Sequence, residues 1–307
     1  YIGQSAIGAL SFEPEADIAQ QQAEMDLLAL ARESLVVIED EDTEALKNLL
    51  IIGGSPQGAR PKALIKFDST NNRVSTLPTA AGDDWLVKFP ARGENQSVCA
   101  AEHVYAQLAK QCGLNMPDTQ FFDLGSGYGA FGVKRFDRDN GMRIHVHTLA
   151  GLLNTNFRLP TLSYTQLLRC IRALTHSELE VIQGYRQCVF NVVFHNRDDH
   201  SKNFSFMMDS VGNWALSPAY DLSFNTGLNG EHNMDIMGEG KNIKLKHLLD
   251  LAKNSDIKLA TAKGIIEHTV SIASNLNHDL SHYPIDAALR EHICQHVQKN
   301  INRLKSE

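Results

Sequence analysis

The chain has little of what marks several large protein classes. Its 307 residues include five cysteines, Cys99, Cys112, Cys170, Cys188 and Cys294, with no C-x-x-C pair. An odd, scattered set argues against a disulfide framework and a Cys-rich zinc site, and points to a reducing cytoplasm. No run of about 18 apolar residues occurs, so no membrane span is expected, and no signal-like start is visible. Positive charge is in deficit: 29 Lys and Arg against 36 Asp and Glu give a net charge of −7. That balance excludes the chain as a whole from electrostatic nucleic-acid binding, although it allows a local basic patch. The first residue is Tyr1 instead of Met, as in a fragment of a longer protein.

What is present is a soluble globular composition, 43% apolar and 21% charged, in a chain long enough for two lobes. The stretch from Asn191 to Phe224 organises it. An apolar helix ends in a polar loop, and two apolar runs follow, Phe204–Met208 and Trp214–Leu216. The five residues Asp209–Asn213 between them suit a β-hairpin turn. The loops before and after the hairpin then lie at the same end, presenting Asp198, Lys202 and Asn203 on one side and Asp221 on the other. One Asp and one Asn amide supply hard oxygens to a divalent metal carrying phosphates, and a second Asp can accept a hydroxyl proton. D-x-x-x-x-N with a downstream Asp is the layout of phosphoryl transfer in protein kinases. The same residues also serve as a solvated, self-capping turn, and the spacing alone does not choose.

The upstream chain offers candidates for the remaining parts of a nucleotide site, in order, although Lys88 also reads as a snorkelling edge lysine and Glu102 as an edge carboxylate that reaches water. Residues 1–12 look like the tail of a small strand-rich unit, and helical patterns follow over Ala16–Arg32 and Thr43–Leu50. Gly53 to Lys62 is a Gly-rich stretch ahead of the strand Ala63–Phe67 whose backbone could approach phosphates; it is no Walker A loop, and taken by itself it reads better as a plain hairpin loop. The short strand at 84–90 carries Lys88 between apolar neighbours. The helix Asn95–Gln111, stopped by Gly113, places Glu102 beside its buried stripe, where a carboxylate needs a partner such as Lys88. Two strands, Phe121–Leu124 and Ala130–Phe136, are joined by a Gly-rich turn. A lobe boundary is expected near residues 135–150, after which the chain becomes mainly helical. Thr175 to Glu178 fits a capping box for a long helix over His176–Phe194. Asn225–Asn242 reads as a mobile polar loop, and residues 244–307 as about three amphipathic helices.

A different chemistry is also conceivable from His195, Asp198, Asp199 and His200, which are close in sequence as in metal-dependent nucleases. His145/His147 and His292/His296 could supply further ligands, but both pairs read as surface residues. A non-catalytic ATP-binding regulator is a third reading.

The segments GGSPQGARPKAL, DDWLVKFP, the Glu102 helix ending in LAKQCGL, VKRFDRDNGMRIHVHTLAGLL, NRDDHSKNFSF, LSPAYDLSF and GEHNMDIMGEGKN occur in one order. In that order they resemble the HipA family of bacterial toxin kinases over nearly the whole chain. The resemblance implies a two-lobe, protein-kinase-like α+β fold. Its strand-rich lobe, with an antiparallel sheet, would span residues 1–140, and its mainly helical catalytic lobe residues 141–307. It implies transfer of the ATP γ-phosphate to a Ser or Thr of a protein with Mg²⁺, in the cytoplasm and without membrane or direct nucleic-acid binding. Asp198 would be the base, with Lys202 on the transferring phosphate and Asn203 and Asp221 on Mg²⁺. Lys88 would hold phosphates with Glu102 as its ion-pair partner, and Ser55, Gly58, Ala59 and Lys62 would belong to a phosphate-covering loop autophosphorylated at Ser55. The backbone at Lys134 and Phe136 would be the adenine hinge. A helix-turn-helix antitoxin is the family's usual partner, and aminoacyl-tRNA synthetases are known substrates in it. Asp199 stands where the best-known members have Gly, which is expected to add charge beside the base and to bind a second cation or slow the reaction. Lys134 replaces the usual hinge Glu.

Overall fold

The computed structural model describes residues 6–13, 26–32, 60–156 and 162–305. Contacts divide the chain into two compact units, Tyr1–His103 with Pro117–His145, and Val104–Met116 with Val146–Glu307. The fold is α+β, with an antiparallel sheet in the first unit and mainly helices in the second.

Five strands form the first unit's sheet: β1 (Lys62–Asp68), β2 (Arg73–Ser75), β3 (Asp83–Lys88), β4 (Thr119–Gly125) and β5 (Tyr128–Lys134), in the order β2-β1-β3-β5-β4. Every neighbouring pair is antiparallel. Strand periodicity of two decides the faces. Ala63, Ile65 and Phe67 of β1 and Trp85 and Val87 of β3 are buried, packing with Phe122 and with Leu27 and Leu30 of the helical residues 27–32. Trp85 and Phe122 meet the Phe67 ring edge-on, at centroid distances of 5.1 and 5.2 Å. The β4–β5 turn places Ser126 and Gly127 at φ 53 and 81. Two consecutive positive φ values match the right-handed strand twist, and Gly accommodates the second at no steric cost.

Helix α1 (Gln96–Gln111) is stopped by Gly113 at φ 79, as its sequence predicts, and its residues up to His103 belong to the first unit. A small hairpin, β6 (Arg138–Asp139) with β7 (Met142–Arg143), follows β5. Residues 6–13 contain no strand, contrary to the strand-rich reading of the start. Side chains hold this segment instead: the Ala6 carbonyl accepts from Arg135, Arg138 and Arg143, and Asp137 Oδ2 accepts from Gly8 N at 2.7 Å.

The second unit contains β8 (His145–Thr148) from Val146 onward, α2 (Leu149–Leu152), α3 (Tyr164–Thr175) and α4 (Glu178–Val193), then the hairpin β9 (Ser205–Met208) and β10 (Trp214–Leu216). Helices α5 (Leu245–Asn254), α6 (Leu259–Ala273), α7 (Leu276–Ser281) and α8 (Ala287–Lys305) complete it, one more than the three expected. The long helix begins two residues later than its sequence suggests. Thr175 still belongs to α3 and donates to the Ile171 carbonyl, His176 breaks the helix at φ 53, and Ser177 becomes the N-cap of α4. Helix α4 is buried along most of its length, with Val181, Tyr185, Val189, Phe190 and Val193 all inaccessible. Each such side chain contributes roughly 2 kcal/mol by leaving water. That burial fixes the helix whose end launches the Asp198 loop. The hairpin turn is as read: both Val211 N and Asn213 N donate to Asp209 Oδ1.

Candidate active site

In the first unit the site is a charged face on the sheet. Lys88 stands directly opposite Lys62 in the β1–β3 register, so both side chains leave the same face. Lys88 Nζ lies 2.5 Å from Glu102 Oε1, with the two residues 7% and 2% exposed, and 5.6 Å from the centre of the Phe131 ring. The other Glu102 oxygen receives Arg60 Nη1 at 3.4 Å. Arg60 also forks onto Glu94 at 2.8 and 2.9 Å, and its carbonyl accepts from Lys62 Nζ at 3.0 Å. Burial works against the Arg60 charge, but the Glu94 hydrogen bond and the two carboxylates outweigh it and raise its pKa. Burial likewise opposes ionisation of Glu94, yet Arg60 and the Ala91 N–H hold its pKa below the ordinary value. Cys99 donates toward the Lys88 carbonyl, and burial followed by the nearby Glu102 charge pushes its thiol to about 12, which removes it as a nucleophile.

The expected Lys88–Glu102 pair is therefore present, and Lys62 shares its face. Arg60 was visible in sequence only as part of the Gly-rich stretch; its paired carboxylates, 34 and 42 residues away, gave no local signal. Ser55, Gly58 and Ala59 lie outside the described residues. At the end of β5, Lys134 N donates to the Asp118 carbonyl at 2.8 Å and its ammonium pairs with Asp83 at the surface, so any hinge contact from Lys134 is through its carbonyl. Phe136 is half-buried two residues on.

In the second unit, α4 runs into the loop through His195, at φ 58. Asn225 N donates to the His195 carbonyl and Arg197 N to the Asn225 carbonyl, both at 3.1 Å, a short parallel bridge that stiffens the loop's entry. Asp198 keeps its carboxylate partly exposed, with Oδ1 3.7 Å from His200 Nε2. His200 Nδ1 accepts from Lys202 N at 3.2 Å, which places the proton of the neutral ring on Nε2, the atom facing Asp198. Asn203 Nδ2 donates to the Asp198 carbonyl at 2.7 Å, so the amide is fixed with its oxygen as the remaining acceptor. Lys202 is half-buried, and its carbonyl accepts from Tyr220 Oη at 2.6 Å. That bond ties the residue before Asp221 to the residue before Asn203. Asp221 itself is exposed, on left-handed backbone at φ 58. A carboxylate and an amide oxygen are the donor types that a magnesium ion carrying phosphates takes.

Four expectations need correction. Asp199 does not lie beside the base as a second cation ligand: it is 1% exposed, and its oxygens accept from Tyr164, His232 and the Asn233 N–H. A carboxylate satisfied by three donors is a structural anion. The nuclease grouping also fails geometrically. His195 is buried against Phe224 and His296, and burial, then Arg197 and the neighbouring histidines, lower its pKa to about 3. Among the described residues no three His, Cys, Asp or Glu side chains gather as a metal site. His296 is accordingly half-buried, although His292 is exposed as expected. Finally, Asn225–Asn242 is pinned: Met234 and Ile236 are buried, Arg197 donates to the Gly230 and Lys241 carbonyls, and Ile236 and Glu239 exchange backbone hydrogen bonds.

The model of the family described as HipA-like C-terminal domain matches residues 54–276. The chain belongs to this HipA-like family. Two curated relatives carry kinase names. "Putative kinase Y4dM" of Sinorhizobium fredii is 28% identical over 53% of this chain and 46% of its own length. A "Putative kinase" of Haemophilus influenzae is 26% identical over 55% and 52%. The chain thus spans about half the length of the curated relatives it matches. Among solved structures, HipA of Shewanella oneidensis, determined with HipB and operator DNA, aligns over 97% of this HipA-like chain and 76% of its own, with a TM-score of 0.69 at 20% identity. The Helicobacter pylori proinflammatory kinase CtkA aligns over 80% and 90%, with a TM-score of 0.51 at 14% identity. At these identities the likeness concerns the fold. Among the described residues no helix is long and apolar enough to cross a membrane.

Proposed function

We propose that this HipA-like chain is an ATP-dependent protein serine/threonine kinase. The observation that carries the reading is the buried Lys88–Glu102 pair. Taking two charges out of water is costly, and an apolar pair would stabilise the sheet as well or better. Its retention is explained by a lysine that must be held ready for phosphate oxygens. Lys88 and Lys62 take the phosphates, with the 53–62 stretch, including Ser55, Gly58 and Ala59, as their cover, and the backbone of Lys134 and Phe136 holds the adenine. Residues 1–140 and 141–307 are then the two lobes.

Asn203 Oδ1 and the Asp221 carboxylate would hold Mg²⁺, which would supply charge neutralisation on the phosphates. Asp198 accepts the proton of the acceptor hydroxyl while that oxygen bonds to the γ-phosphorus and the bond to the ADP oxygen breaks. His200 presents Nε2 toward Asp198 at 3.7 Å. Lys202 meets the transferring phosphoryl group. Acceptors include a Ser or Thr on a translation factor such as an aminoacyl-tRNA synthetase, and Ser55 in cis. A helix-turn-helix antitoxin is the proposed partner, in a toxin–antitoxin pair within the cytoplasm.

The test is incubation of the purified chain with Mg²⁺ and γ-labelled ATP, followed by mass spectrometry, alongside Asp198→Ala. Phosphate on Ser55 that is lost in the variant supports the proposal. Label that persists in Asp198→Ala overturns the base assignment, and absence of any ATP binding overturns the kinase reading.

A further inference from the structure

Asp199 follows the proposed base directly, yet its side chain is turned into the interior of the second unit. Its Oδ2 accepts from Tyr164 Oη and from His232 Nδ1, both at 2.7 Å, and its Oδ1 from Asn233 N at 2.8 Å. Tyr164 Oη in turn accepts from Asn191 Nδ2 at 2.9 Å, and Asn191 Oδ1 from Asn196 Nδ2 at 2.9 Å. Asn233 Nδ2 closes the circuit on the Arg197 carbonyl at 3.0 Å. Residues 196, 197 and 199 are thereby tied on both sides of Asp198 to α3, to α4 and to residues 232–233.

We infer that Asp199 is a positioning residue: it fixes the main chain that carries Asp198 and couples the 232–233 segment to the proposed base. The inference rests on the kinase reading above for its effect on rate, but not for the coupling itself. A polar loop without internal anchors samples many conformations, and a misplacement of about 1 Å at a reacting group costs on the order of 10²-fold in rate. Asp199 supplies the anchor because a buried, fully hydrogen-bonded carboxylate strongly disfavours conformations in which any of its donors leaves. Tyr164 is the hub, since its single hydroxyl donates to Asp199 and accepts from Asn191. Residues 232–233 belong to the pinned segment 225–242, so a displacement of that segment reaches Asp198 through the Asp199 carboxylate on one side and through Arg197 on the other.

The experiment compares the full chain with Asp199→Asn, Tyr164→Phe and His232→Asn. Two readouts are used: hydrogen–deuterium exchange by mass spectrometry, and phosphate transfer per folded molecule. The amides to follow are Arg197, Asn203 and Asn233, each hydrogen-bonded in the intact loop. The expected result is exchange at these amides faster by tenfold or more with α3 and α4 unchanged. With it, kcat should fall by about 10²-fold in Asp199→Asn and less in Tyr164→Phe, while nucleotide affinity stays within about threefold. Unchanged loop exchange, or an increase spread through α3 and α4, overturns the coupling. Transfer per folded molecule equal to that of the unsubstituted chain overturns the positioning role. If the unsubstituted chain binds no nucleotide, the kinase reading fails, and the exchange data still decide the coupling. Should Asp199→Asn not fold, the Tyr164 and His232 variants carry the test.

Discussion

Lys62 and Lys88 face each other across the β1–β3 ladder, two like charges at the position where like charges repel most strongly. The pair is tolerated because each ammonium has its own acceptor, the Arg60 carbonyl for Lys62 and the Glu102 carboxylate for Lys88. Lys88→Met removes the cation and leaves Glu102 buried beside the longer Arg60 contact at 3.4 Å. A loss of roughly 3 kcal/mol is expected, with nucleotide binding abolished. Urea denaturation and nucleotide titration check both. The double variant Lys88→Met/Glu102→Leu is expected to recover part of the stability and none of the binding.

Asp198→Asn should separate activity from stability. The carboxylate is partly exposed, so its loss should change the unfolding free energy by less than about 1 kcal/mol. Phosphate transfer should fall by about 10³-fold or more, because the amide cannot accept the acceptor proton. A variant that keeps its activity removes Asp198 from the role of base.

Gly184 allows α3 and α4 to approach closely. A Cβ built there would lie 2.4 Å from Ile171 Cδ1 and 3.0 Å from Leu168 Cδ2. Gly184→Ala is therefore expected to destabilise the second unit by about 1–3 kcal/mol, despite the better helix propensity of Ala. The midpoint of thermal or urea unfolding reads this directly; a stabilised variant would mean that the Ile171 and Leu168 side chains yield freely.

The buried His195 gives a pH prediction. Its folded pKa, lowered to about 3 by burial, Arg197 and the nearby histidines, lies below the value near 6.5 of an unfolded chain. Protonation therefore favours the unfolded state. The stability associated with neutral His195 is complete above pH 6.5 and declines as pH falls toward 3, with a slope of up to about 1.4 kcal/mol per pH unit. Unfolding between pH 7 and 4.5, compared with His195→Gln, should show a flatter profile in the variant.

The parts of the fold that were legible in the sequence are those dictated locally. Alternating apolar residues gave the strands around Lys88 and the hairpin after Asn203, and Gly113 gave the end of α1. Lys88 and Glu102 could be paired in advance because a strand lysine and a carboxylate beside a buried stripe both require a partner. What was not legible depends on distant contacts. The inward turn of Asp199 is set by Tyr164, 35 residues earlier, and by His232, 33 residues later. The segment 225–242 has the composition of a mobile loop, but its order comes from Arg197 and from the burial of Met234 and Ile236. The N-cap moved from Thr175 to Ser177 because α3 claims Thr175 first.

Asn300 on α8 donates to the Val192 carbonyl at the end of α4, 108 positions earlier, and lies 3.0 Å from His195 Nδ1. Since a chain emerges from the ribosome in order, α4 and the Asp198 loop are synthesised long before their clamp. The loop completes its hydrogen bonds only once residue 300 has been released. The entry to the candidate active site is thereby completed only after α4 itself has been made, with α8 as its later partner.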